Sequence, residues 1–320
     1  MEVGPIYTQG KSFRARAEAR QRQYRSEILK VGWSKYGHFL NEEAQCEGAN
    51  FVSPIAFEAA SNRLAQGKGM ATRTFDNMLS SQAMCFNIFA PLAANLELAS
   101  VVFKRILPVI STVSSIQFEY TPSNDIFRDQ VGHAGVDCDL LVGGVTTEGA
   151  KIIIVIETKF VEPEFSICGF RAPGRSAKDQ PVCPNDVMID EDDSVCLYTK
   201  LKKYRYWGCT WEVGSLNTSA LPVAGCPFGG PLWQLWVNHT LAKVEASRRE
   251  ASSAIFAVCS PENNKTLAAI NKIKDFKELL IDPDSVVHIG VDHLISVIGD
   301  EVKAPLDKWH KQLALRYSSI

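Results

Sequence analysis

Two residues of this 320-residue chain invite a chemical reading first, Glu157 and Lys159. They stand two apart at the end of the run from Lys151 to Phe160, whose β-branched residues read as a strand buried on both faces. Residues i and i+2 of a strand point to the same side, so a carboxylate and an ammonium share one direction. Charges at the end of a buried strand are costly unless they pair or bind something. Upstream, Asp137 and Asp139 open a second apolar run, Leu140 to Val142, and the turn-forming stretch Gly143 to Gly149 predicts an antiparallel hairpin between the two runs. Such a hairpin brings Asp137 or Asp139 beside Glu157 and Lys159. Two carboxylates and a lysine converging there suit Mg²⁺ held by oxygen donors, with water and phosphate completing the shell. The plainer alternative is a surface Glu–Lys pair at a strand end.

An Asp, a hairpin's length, then Glu-x-Lys at the end of an apolar strand resembles the PD-(D/E)xK nuclease superfamily, with its restriction-endonuclease-like fold. The stretch Leu79-Ser-Ser-Gln-Ala-Met-Cys-Phe-Asn-Ile-Phe-Ala-Pro-Leu92 resembles the helix before the catalytic sheet in a bacterial branch of that superfamily. The resemblance implies an α/β fold, a mixed sheet flanked by helices. It also implies a Mg²⁺-dependent nuclease, with Mn²⁺ able to substitute, that hydrolyses phosphodiester bonds of DNA. Asp139, Glu157 and Lys159 become the catalytic residues. Asp139, Glu157 and the Thr158 carbonyl become the metal ligands, with Asp137 as the alternative acid. Asp139 is preferred because it directly precedes the apolar run, as in the family, although Cys138 stands where the family often has Pro. Gln234 matches a Gln that approaches the metal site or substrate from the helix after the Glu-x-Lys strand. A catalytically silent member that binds nucleic acid or protein is the competing reading, and the intact Asp139, Glu157 and Lys159 argue against it. No G-x-x-x-x-G-K-[ST] loop is present, which excludes nucleotide hydrolysis of that kind.

The rest of the chain must position these groups. A net charge of −2 excludes a uniformly basic nucleic-acid coater, so any nucleic-acid surface is local. No stretch is apolar and long enough to span a membrane, and the first residues lack a signal-peptide core. Nine cysteines with no C-x-x-C pair point to a reducing cytoplasm. Cys168, Cys183, Cys196 and Cys209 fall in one loosely spaced group, and their spacing gives a zinc or iron–sulfur site little support. Between Lys11 and Lys30, Arg14, Arg16, Arg20, Arg22 and Arg25 suit either a phosphate-touching arm or an ordinary solvated helix.

Further along, Ser80 or Ser81 can cap a helix reaching about Ala94, in which the amides of Gln82 and Asn87 need partners. Leu96 to Ile110 reads as a second helix and Ser114 to Tyr120 as the first strand, with Glu119 on its polar face as either a further site carboxylate or a solvated residue. A loop spans Thr121 to Ala134. Residues 161–230 form an insertion rich in Cys, Pro and Gly, with the acidic run Asp190 to Asp193. Within it, Lys200, Lys202, Lys203 and Arg205 interleave with aromatics, suiting phosphate contact and stacking, or, slightly favoured, an amphipathic helix with snorkelling lysines. Pro231 to Ala242 opens a helix that carries Gln234 and Asn238 on one face. A buried strand from Ala254 to Cys259, a helix ending near Leu280, a short strand near Ser285 to Gly290 and helices near 291–299 and 304–316 complete the pattern. The expected division is a helical extension over residues 1–74 and a nuclease-like α/β domain over 75–320. The expected partner is nucleic acid, DNA before RNA, with no membrane and with homodimer formation left open.

Overall fold

The apolar runs build a single five-stranded sheet whose order follows the chain: β1 (Ile110–Tyr120), β2 (Cys138–Thr146), β3 (Lys151–Thr158), β4 (Ser253–Ser260) and β5 (Val286–Gly290). The computed structural model describes residues 2–67, 69–129, 136–171, 181–183, 193–222 and 225–320. β1, β2 and β3 form an antiparallel meander, and β4 and β5 then add in parallel. The predicted hairpin turns between β2 and β3, where the backbone N–H of Thr146 donates to the carbonyl of Ala150 at 2.8 Å. A parallel neighbour requires a long crossover, and α8 (below) supplies it between β3 and β4.

Six helices precede the sheet: α1 (Phe13–Tyr24), α2 (Glu42–Cys46), α3 (Pro54–Ala65), α4 (Arg73–Asp76), α5 (Ser81–Ala93) and α6 (Leu96–Ile106). α7 (Tyr206–Val213) and α8 (Trp233–Arg248) lie between β3 and β4, α9 (Ala269–Lys277) between β4 and β5, and α10 (Val291–Glu301) and α11 (Asp307–Tyr317) follow β5. β3 is buried on both faces, as its composition requires. Ile152, Ile154 and Ile156 pack with α1, α5, α6, α10 and α11. Ile153 and Val155 pack with α7, α8 and α9. This is the mixed, helix-flanked sheet that the sequence resemblance implied.

The first helices are tied to the last. Phe13 and Ala17 of α1 enter the same apolar cluster as Trp309 and Leu313 of α11. The fully buried Arg316 guanidinium donates to the Gln21 side chain at 2.9 Å and to the Asn50 carbonyl at 2.6 Å. α3, from a stretch without a clear sequence signal, packs Ala56 and Ala60 against Phe86 and Ala90 of α5.

Several expected elements differ in extent. The helix from Leu96 stops at Ile106 rather than Ile110, because Pro108 cannot continue it. Ile110 instead begins β1, so the first strand is longer than Ser114 to Tyr120, and register shifts near Thr112 and Ser115 blur its alternation. Tyr198 to Trp207 is not one amphipathic helix. A π-helical turn covers Tyr198–Lys202, Lys203 takes the left-handed conformation (φ 62°), and α7 starts at Tyr206. The region from Lys11 to Lys30 is helical rather than a loose arm, and Ser80 is the residue that caps α5. The end of the Thr121–Ala134 loop, Gly135 and Asp190 to Asp192 lie outside the described residues.

Candidate active site

Strand register assembles the acids. β1 and β2 pair Phe118 with Leu140 and Tyr120 with Cys138, which sets Glu119 across from Asp139. β2 and β3 pair Leu140 with Ile156, so the next rung sets Asp139 across from Glu157. Glu157 in turn lies beside Val258 of β4, and Val258 beside His288 of β5. Three carboxylates thus occupy one rung over three strands, where β1 and β3 end and β2 begins.

The chain changes face at this rung. Glu119 has φ 48°, a left-handed conformation uncommon for a residue with a Cβ. One residue earlier, Phe118 stacks on Phe86 of α5 with ring centroids 4.5 Å apart. One residue later, the Tyr120 hydroxyl donates to Glu245 of α8 at 2.8 Å, on the other side of the sheet. Arg63 of α3 fixes the kink by donating to the Glu119 carbonyl at 2.6 Å. Asp139 sits at a similar switch, since Cys138 belongs to the α8-side cluster and Leu140 to the α5-side cluster.

Each acid has its own holding contacts. Asp139 Oδ2 accepts from the Thr158 backbone N–H at 2.6 Å and also from the Thr158 hydroxyl. Glu157 Oε1 accepts from Gln234 Nε2 at 2.7 Å and pairs with Lys159 Nζ at 3.0 Å. Glu157 Oε2 accepts from Asn238 Nδ2 at 3.0 Å. The two α8 amides thus hold Glu157 by separate oxygens, four residues apart on one helix face. Glu157 and Lys159 are 6% and 8% exposed, so their ion pair is buried. Glu119 is 5% exposed, and its Oε1 has no hydrogen-bond partner among the described residues. Gln82 of α5 lies against Glu119 and ties down the loop before α5, its amide donating to the Gly69 carbonyl at 2.7 Å and accepting from the Ala71 N–H at 3.1 Å.

Crowded carboxylates in a dry site resist ionisation. Burial raises the pKa of Glu119 to about 9, reinforced by the charge of Asp139 and, less, of Glu157. Burial raises Asp139 to about 7, again with Glu157 adding to it, while the Thr158 hydrogen bonds oppose the rise. For Lys159, burial favours the neutral amine, but Glu157, Glu162 and Asp139 together outweigh it and hold the ammonium protonated.

A family model of the PD-(D/E)XK nuclease superfamily matches residues 8–181, more than half of the chain. The chain belongs to that superfamily. No curated protein and no solved structure matches it. Its superfamily is one of nucleases that typically use divalent metals, and the donor chemistry here fits such an ion. All three acids offer hard oxygen donors, Glu119 Oε1 is buried and unpartnered, and the raised pKa values of Glu119 and Asp139 mark negative charge that a cation would relieve. Among the described residues, no group of three or more His, Cys, Asp or Glu side chains is placed to hold a metal ion as it stands.

The remaining sequence candidates are more scattered. Asp137 precedes β2, is exposed, and lies electrostatically near Asp129. Lys203 and Arg205 line a cavity of about 560 Å³ with Arg128 and Lys200. Arg205 is paired with Glu212, and Lys202 is exposed. Of the N-terminal arginines, Arg20, Arg22 and Arg25 donate to carbonyls of Leu315, Gly4 and Gly37, so they brace the fold. Asn87 is also structural: it accepts from the Val52 N–H at 2.8 Å and donates to the Tyr317 hydroxyl at 2.9 Å. Arg63 was not foreseen, because its part of the chain carries no periodic signal.

Proposed function

We propose that this protein is a divalent-metal-dependent nuclease that hydrolyses phosphodiester bonds of DNA, with Asp139, Glu157 and Lys159 as its catalytic residues. The observation that carries the reading is the single rung of Glu119, Asp139 and Glu157, with Lys159 paired to Glu157, in a member of this superfamily. Asp139, Glu157 and the Thr158 carbonyl would hold Mg²⁺, or Mn²⁺ in its place, with Glu119 as a further acid of the same site. Such an ion supplies a polarised phosphodiester and a more acidic bound water.

The chain's own groups do the rest. Gln234 and Asn238 fix the orientation of Glu157. Lys159 carries a protonated amine at the site and is placed to orient the attacking water or to stabilise charge developing on the phosphoryl oxygens. The phosphate backbone needs local positive charge. An open groove of about 1100 Å³ runs past Glu119, lined by Arg63, Asn62 and Gln66 on one side and Gln117 and Ser123 on the other. No single helix among the described residues is long and apolar enough to cross a membrane, and a reducing cytoplasmic setting is part of this reading.

The test is cleavage of supercoiled and linear DNA by purified protein. Mg²⁺ or Mn²⁺ should support it, EDTA should stop it, and Ca²⁺ should support binding with little turnover, because its coordination shell is larger and looser. Asp139→Ala should abolish cleavage, whereas Asp137→Ala should matter less. Tight, metal-independent DNA binding without cleavage of any DNA or RNA would overturn the enzyme and favour a silent binding module.

A further inference from the structure

We infer that Cys168, Cys183, Cys196 and Cys226 form a four-thiolate zinc site that staples the segment between β3 and α8. The four come from distant points in the chain, yet all of them line one cavity of about 20 Å³. That is space for about one water-sized sphere. Its other walls are largely aromatic, Phe170, Tyr198, Trp207 and Trp233 among them, with Arg171 beside the sulfurs.

The convergence is complete pair by pair. Cys226 lies within electrostatic reach of Cys196, Cys168 and Cys183. Cys168 lies within reach of Cys196 and Cys183, and Cys183 within reach of Cys196. All six pairs that four residues can make are therefore present. Cys209, grouped with these residues by sequence position alone, is not part of the set: its Sγ points to the carbonyl of Ile126 at 3.4 Å. Cys226 takes its place.

The backbone around the cysteines is already knitted together. The Arg171 N–H donates to the Cys168 carbonyl at 2.8 Å, the Cys183 N–H to the Phe170 carbonyl at 2.8 Å, and the Arg171 guanidinium to the Cys183 carbonyl at 3.1 Å. Tyr198, two residues after Cys196, packs edge-on against Phe170 and stacks on Trp233. Burial raises the Cys168 thiol to about 11 and the Cys226 thiol to about 12, with the neighbouring sulfurs adding to both shifts.

Four thiols in an apolar pocket suit a soft, tetrahedral ion far better than Mg²⁺. As they stand, no three of these sulfurs are placed to hold a metal ion, so zinc would have to draw the segments of the insertion together and release thiol protons as it bound. The acids of the active site have the opposite preference, for hard cations. The two sites should therefore take up different metals independently.

The experiment uses untagged full-length protein, produced with zinc in the medium and purified without chelators. Elemental analysis should find about one zinc per chain. Unfolded protein refolded with Co²⁺ should show the intense visible and near-ultraviolet bands of tetrahedral thiolate coordination. Cys196→Ser combined with Cys226→Ser should lose the zinc and the cobalt bands, whereas Cys46→Ser and Asp139→Asn should keep both. Should the double variant fail to fold, zinc content and the cobalt spectrum of the wild-type protein still decide. No bound zinc, two disulfides by non-reducing mass spectrometry, an iron–sulfur absorption spectrum, or zinc lost through Asp139→Asn would each overturn the assignment.

Discussion

Replacing Glu119 by Gln should stabilise the metal-free protein while weakening its response to Mg²⁺. The wild-type carboxyl rises from 4.5 to about 9 in the folded chain. An acid whose folded-state pKa is raised costs nothing below its unfolded value, because it is protonated in both states. As pH climbs from 4.5 towards 9, the unfolded chain gives up the proton and the folded chain keeps it, so stability falls throughout that window. At ~1.4 kcal/mol per pH unit, the penalty reaches at most ~5 kcal/mol by pH 8. Glu119 shares its shift with Asp139, so we expect Gln to recover about 2–3 kcal/mol, or roughly 3–5 °C in melting temperature for a chain of this length. Mg²⁺ at a hundredfold excess over its dissociation constant adds ~3 kcal/mol to the wild-type protein and should add clearly less to the variant. Melting curves from pH 5 to pH 9, with and without Mg²⁺, measure both effects. A variant less stable than wild type without metal would refute the reasoning, because it would make the carboxylate a structural group. Equal Mg²⁺ stabilisation of both proteins would remove Glu119 from the metal's surroundings.

Lys159→Ala should lower turnover about a hundredfold or more while DNA affinity stays within a few-fold, measured by single-turnover cleavage and binding in Ca²⁺, because its charge matters most in the transition state. Gln234→Ala and Asn238→Ala each remove one hydrogen bond that orients Glu157. Each should reduce cleavage about 10–100-fold and raise the Mg²⁺ concentration for half-maximal rate, as shown by metal titrations of the rate. Arg316→Ala should cost about 3 kcal/mol or more in urea unfolding, since it leaves the side-chain oxygens of Gln21 and Asn50 buried without a donor.

The sequence was most legible where one strong physical signal stood alone. The β-branched run of β3 and the turn-rich hairpin placed Glu157, Lys159 and an upstream Asp together. Choosing between Asp137 and Asp139 needed the actual start of β2: at Cys138, only Asp139 is inside the ladder. Glu119 could not be assigned by alternation, because the left-handed kink at that residue breaks the alternation that sequence reading relies on. The basic and aromatic stretch around Lys203 misled in the opposite way, reading as periodic while the chain breaks there. The N-terminal arginines suited either a phosphate-touching arm or a solvated helix, and tertiary contacts to backbone carbonyls, invisible in sequence, claim three of them. The cysteines needed folding most of all, because only the folded chain exchanges Cys209 for Cys226.

The order of strands has a consequence for how the chain is made. β3 gains its parallel neighbour only at Ser253, ninety-odd residues after its own end at Thr158. During synthesis, the Ile-rich ladder of β3 leaves the ribosome with one edge unpaired while the whole following segment and α8 are still to come. An open edge of that composition is a template for pairing with another nascent chain. Slowing translation after β3, or truncating the chain before β4, should therefore turn an otherwise well-packed core into one that aggregates through that edge.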